Sequence, residues 1–179
     1  MKNIESLKII ICISVLFSIN TLIHSQSKQI LSTSVNAGIF TPLDLLSERI
    51  NSGFRIGFDF ESRNQNFGVY LSANFNIAMY KNTTENLNKD MTAAIYEIDI
   101  GPRWYIGKTK KVQGNIDLGF SAFTGNYVDK LKFGLSAAVG LNVPLNKKLV
   151  INTGSRISLI GIDYFQLYAT VFAGVRYNF

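Results

Sequence analysis

Glu97, Asp99 and Asp117 are the residues with the clearest capacity for chemistry. Paired carboxylates are the machinery of glycoside hydrolysis, one serving as acid and the other as base or nucleophile. The rest of an acid–base site is missing. Proton transfer near neutral pH favours a group that titrates near 7, which is histidine. His24 and Cys12 are the single histidine and the single cysteine, and both fall within residues 1–25. Residues 26–179 therefore hold no imidazole base, no thiol nucleophile and no His or Cys ligand for a metal. The oxygen-rich stretches LDLLSE (43–48) and TTENLNKD (83–90) follow no calcium-loop spacing. The expectation is a protein that is not an enzyme and carries no cofactor or metal. The carboxylates are instead expected to pair with arginines, because an unpaired buried charge is costly.

The elements that would position those charges are strands. No apolar 3.6 period persists after residue 25, whereas a period of two recurs. Eight segments alternate: 30–40, 53–61, 66–80, 93–107, 112–123, 131–144, 149–159 and 166–179. One face reads Leu31, Thr33, Val35, Ala37, Ile39 in the first and Leu167, Ala169, Val171, Ala173, Val175, Tyr177, Phe179 in the last. In a chain that is 17% charged, this face carries no charge in any of the segments. The opposite face carries Arg55, Asp59, Glu61, Glu97, Asp99, Arg103, Asp117, Arg156 and Arg176, together with most of the glycines. Two charge layers are expected. Glu97, Asp99, Asp117 and Arg156 would lie near mid-height, with Glu61, Arg103 and Arg176 nearer one end.

The connections alternate in length. TPLDLLSERINS and KNTTENLNKDMT are long, while ESRNQN, GKTKK and PLNKK are short. An up-and-down meander with its long loops at one end and tight turns at the other fits this pattern. Ahead of it, Lys2 and Lys8 precede the apolar run IIICISVLFSINTLI, and Ser25 follows. That order predicts a cleaved export signal over 1–25 and a barrel domain over 26–179. Loss of Lys2, Lys8 and Glu5 lowers the formal net charge from +6 to +5. Mild basicity spread along the chain suits anionic lipid headgroups, and the absence of a Lys/Arg run argues against nucleic acid.

Two eight-stranded barrels satisfy a period of two. A soluble ligand-binding barrel turns its apolar face inward, and a membrane barrel turns it to lipid. A soluble exterior is dense in Lys and Glu, whereas the polar face here is sparse in charge and rich in glycine. Glycine on that face leaves room for a few large charged side chains in a narrow lumen. Aromatic residues near strand ends predict interfacial girdles: Phe40, Phe54, Tyr80, Trp104, Tyr105, Phe123, Tyr164, Phe165, Tyr177 and Phe179. Pro102 removes a ladder donor, which predicts a bulge near the short-turn rim. A closed barrel also requires the last strand to pair with the first.

The closing AGVRYNF, the segment IGPRWYIG and the eight-strand count resemble the small OmpA-like and OmpX-like outer-membrane β-barrels of Gram-negative bacteria. The resemblance covers essentially all of 28–179. It implies an all-β, eight-stranded antiparallel transmembrane barrel in the cell outer membrane. It also implies partners: outer-membrane lipid and lipopolysaccharide, and the barrel-assembly machinery, which would read Val175, Tyr177 and Phe179 as a C-terminal signal. A structural or surface-interaction role follows, with the outer loops as the binding surface. A narrow passive pore and a soluble barrel for an apolar ligand are the competing readings.

Overall fold

The computed structural model describes residues 29–81, 92–107, 111–128, 130–161 and 166–179. The expected export signal, TTENLNKD, Tyr164 and Phe165 lie outside the described residues. The strands are β1 (Ile30–Leu43), β2 (Gly53–Arg63), β3 (Phe67–Met79), β4 (Thr92–Ile106), β5 (Gln113–Thr124), β6 (Lys132–Pro144), β7 (Leu149–Ile160) and β8 (Gln166–Asn178). They form a closed barrel in sequence order, and every neighbouring pair is antiparallel. The seam between β1 and β8 is a full ladder from Ser32↔Asn178 to Leu43↔Leu167. The Phe179 amide adds a bond to the Leu31 carbonyl at 2.9 Å. The shortest strand has 11 residues and the longest 15, enough for tilted strands that need about 9–11 residues to cross a bilayer.

The apolar face is the outside. Phe54, Ile56, Leu71, Ile98, Leu135 and Val171 are all about half exposed or more, with Phe54 at 77%. The inside is polar: Ser34, Asn36, Ser72, Asn74, Ser121, Asn142 and Ser158 are buried there with the charged residues. This inverts the soluble ligand-binding alternative, which needs the bulky face enclosed. Water solvates such an exterior poorly, while lipid matches it, and a closed ladder leaves no unpaired edge in hydrocarbon.

Three departures from the expected elements have physical causes. β1 runs three residues past its expected end, because its pairing with β8 continues through Thr41, Pro42 and Leu43 beyond the start of β2. Pro42 thus has a strand neighbour on one side only, the setting that tolerates a missing N–H. LDLLSE, expected within a long connection, is not a loop throughout. It is the end of β1 followed by a short helix, α1 (Asp44–Arg49), which buries Leu46. Pro102 makes no bulge. The β4–β5 pairing is interrupted between Ile100↔Phe120 and Arg103↔Asp117, yet the register is the same on both sides, so no residue is inserted. At Gly101 the backbones approach so closely that a Cβ would overlap the Leu118 carbonyl.

The girdle also needs correction. Phe54, Trp104, Tyr177 and Phe179 face outward or sit at the rim, and Trp104 packs edge-on against Phe67 with centroids 5.9 Å apart. Phe40, Tyr105 and Phe123 point into the lumen and are buried. Each lies on the polar parity of its strand. At the long-loop end that parity turns apolar: Phe40, Ile95, Phe123, Ile160 and Tyr168 pack with Leu46, Ile50 and Val128 into one cluster, with Tyr80 and Tyr127 against it.

Candidate functional site

The lumen is built by parity. Every second residue of a strand points inward, and a few long charged side chains among small polar ones suffice to fill a narrow barrel. Arg55, Arg63, Arg103, Arg156 and Arg176 are buried there with Asp59, Glu61, Glu97, Asp99 and Asp117. Guanidiniums and carboxylates are equal in number, so this inventory is formally neutral. Every cation in it is arginine, whose planar fork suits buried pairing better than a lysine ammonium.

The cluster nearer the short turns centres on Arg103. Its Nε and Nη2 donate to the two oxygens of Asp117 at 2.8 and 2.7 Å, and its Nη1 donates to Glu61 at 3.1 Å. Arg176 Nη1 lies 3.3 Å from Glu61 and donates to the Tyr105 hydroxyl at 2.7 Å. The Tyr105 hydroxyl in turn donates to Glu61. Asn115 donates to Asp117 at 2.8 Å, and Asn142 donates to Asn115 at 2.8 Å. Arg63 stacks over the Tyr105 ring at 4.5 Å.

The next cluster centres on Asp99. It accepts from Tyr70 at 2.8 Å, Ser121 at 3.0 Å, Ser136 at 2.9 Å and Arg156 at 2.8 Å. Glu97 accepts from Asn74 and Ser158, both at 3.0 Å. Asp59 accepts from Ser34 at 2.9 Å. Arg55 donates to Thr170 at 2.8 Å and to Asn74 at 2.5 Å. The ring of Tyr70 separates the two clusters, with the Arg103 guanidinium 4.7 Å and the Arg156 guanidinium 5.7 Å from its centroid.

The expected layers are redrawn at one residue. Asp117 sits with Arg103 and Glu61, not with Arg156 at mid-height, because Asp117 is the direct cross-strand partner of Arg103. Strand tilt of roughly 35–45° offsets the heights of residues that look level in sequence. Arg63, Tyr70 and Tyr105 were missed as luminal residues. All three lie on the polar parity: Arg63 falls beyond the expected end of β2, Tyr105 is in the expected girdle set, and Tyr70 is an uncharged position of the polar face of β3.

Glycine makes this packing possible. A Cβ on Gly119 would overlap Asp99 Oδ1, the Tyr70 hydroxyl and Ser136 Oγ. Gly119→Ala is expected to lower stability by about 1–3 kcal/mol, the usual cost of overpacking. Gly114→Ala is expected to be close to neutral, because the nearest atom to its Cβ would be 3.9 Å away. Equilibrium urea titrations of the two variants in detergent check both.

A closed meander with an apolar exterior and an ion-paired interior defines an eight-stranded transmembrane β-barrel. Its fold is that of the small outer-membrane barrels. Neisserial surface protein A is 15% identical, with a TM-score of 0.64 over 86% of this chain and 100% of that one. The N-terminal β-barrel domain of Pseudomonas aeruginosa OprF is 10% identical, with a TM-score of 0.55 over 83% and 97%. Ail, the attachment invasion locus protein of Yersinia pestis, is 18% identical, with a TM-score of 0.50 over 86% and 100%. No protein-family model matches the sequence, and no curated protein matches it.

Proposed function

We propose that the protein is an integral barrel of a Gram-negative outer membrane with a structural or surface-interaction role. Its lumen serves as a packed core, and its long-loop end meets whatever partner it binds. The observation that supports this reading is the pairing inside the lumen. Arg103 takes both Glu61 and Asp117, and Arg156 takes Asp99, at positions almost fully removed from solvent. The apolar cluster around Phe40, Phe123 and Tyr168 adds a second obstruction at the other end. Chemistry is not the role proposed, since the luminal carboxylates are occupied by guanidinium, amide and hydroxyl donors.

Planar-bilayer recording of the refolded protein tests the packed lumen. The expected result is a heat-modifiable, folded barrel that gives no discrete conductance steps. Reproducible unitary steps would make it a narrow pore instead.

In the same reading, Val175, Tyr177 and Phe179 are the signal for the assembly machinery. Val175 and Phe179 face outward, and the Tyr177 and Phe179 rings meet edge-on at 5.3 Å. Phe179→Ser is expected to reduce the folded fraction in outer membranes several-fold, read by heat-modifiability on gels. Refolding of the purified variant in detergent should stay near normal, because Phe179 is 71% exposed and packs little.

A further inference from the structure

The luminal charges cancel, so the excess positive charge lies on the rims, and among the described residues only one rim mixes it with acidic side chains. At the short-turn rim the described cations are Lys111, Lys147 and Lys148, all exposed. Among the described residues, no Asp or Glu side chain stands with them. Glu61, in the short-turn half of the barrel, is buried in the lumen and held by Arg103 and Arg176. At the opposite rim Asp44 and Glu48 stand among Arg49, Lys81, Lys130 and Lys132.

The position of the short-turn lysines relative to the apolar belt is specific. Lys111 is followed by Val112, which is 55% exposed, and Leu145, 59% exposed, precedes Lys147. Lys148 Nζ donates to the Tyr177 hydroxyl at 3.0 Å and lies 5.5 Å from the centroid of that ring. Phe179 packs edge-on against the same Tyr177 ring. The ammonium groups are thus carried at the boundary between lipid-matching surface and water, where long side chains keep their stems apolar and their heads hydrated. A polymer lying free in the aqueous compartment would gain nothing from that boundary. A lipid phosphodiester occupies it by construction.

We propose that this rim is a binding surface for anionic phospholipid headgroups in the leaflet at the short-turn end. Lys111, Lys147 and Lys148 would supply the charge, and Tyr177 would orient Lys148. The proposal rests on the membrane-embedded reading. Clustered lysines beside a membrane attract anionic lipid, and the attraction falls within a Debye length of about 3 Å at 1 M salt.

The test uses the protein refolded into phosphatidylcholine vesicles with trace spin-labelled phosphatidylglycerol or spin-labelled phosphatidylcholine. The motionally restricted fraction of each label reports its association with the barrel. The expected result is a preference for phosphatidylglycerol of about threefold or more. It should fall to near unity in the combined Lys111→Gln, Lys147→Gln, Lys148→Gln variant and in 1 M salt. It should persist in Lys81→Gln, Lys132→Gln. Equal association of both labels in the parent protein overturns the proposal, as does a preference indifferent to the three substitutions. Co-sedimentation with purified peptidoglycan that those substitutions abolish, without any lipid preference, assigns the rim to the wall polymer and also overturns it. Failure to insert into any vesicle is a separate result, which removes the membrane reading itself.

Discussion

Arg103→Met is expected to destabilise the barrel by about 3–5 kcal/mol, the usual cost of leaving a buried charge without its partner. The guanidinium serves two carboxylates at once, and its side chain is only 4% exposed. Its removal strands Asp117 and leaves Glu61 with Arg176 and Tyr105. The measurement is the urea midpoint in lipid vesicles, approached from both the folded and unfolded sides. Combining Arg103→Met with Asp117→Asn should recover much of the loss, because a neutral amide tolerates the same interior and Glu61 keeps Arg176 as its cation. A single variant as stable as the parent would show that water reaches and solvates these groups, and the packed-lumen reading would fail with it.

Ile98→Arg is the second large effect, expected at about 2–4 kcal/mol. Ile98 lies near the middle of β4, faces outward and is 59% exposed. On a water-facing surface an added arginine at such a position costs little. In hydrocarbon it is expensive, and the cost declines from the midplane towards the interfaces. Ile106→Arg, at the end of the same strand and 60% exposed, should therefore cost about 0–1 kcal/mol. The gradient between the two positions, measured in the same vesicles, is the decisive quantity. Equal small costs would mean that the apolar exterior faces something other than lipid.

Most of the fold was legible because a closed barrel imposes one rule on every strand. Alternation set the face of each residue, and turn lengths set the direction of the meander. Interior composition was harder to read. Position near a strand end alone puts Phe40 and Phe123 in the expected girdle, although both lie on the polar parity. In the structure the same parity changes from Asp59 and Asp99 at mid-strand to Phe40, Ile95 and Phe123 where the long loops begin. Nothing local marks that change, since α1 supplies Leu46 from outside the strands to complete the cluster. The pairing of individual charges was also out of reach. Asp117 meets Arg103 through strand register, which depends on shear around the whole barrel and not on any one segment. Pro102 shows the converse, a local signal whose expected consequence the neighbouring strands suppress by holding register on both sides of the gap.

The seam at β1 and β8 has a consequence for how long a molecule survives once made. An open sheet frays from its edge, where a strand has only one row of bonds to lose. Here every strand has two, and the luminal arginines act like spokes between strands that are not neighbours: Arg156 of β7 reaches Asp99 of β4, and Arg103 of β4 reaches Glu61 of β2. The first step of departure must therefore break two rows and a spoke together, with nothing gained until the wheel has come apart. Such a barrier slows escape more than it deepens the well, so the protein's persistence is set by waiting time more than by equilibrium.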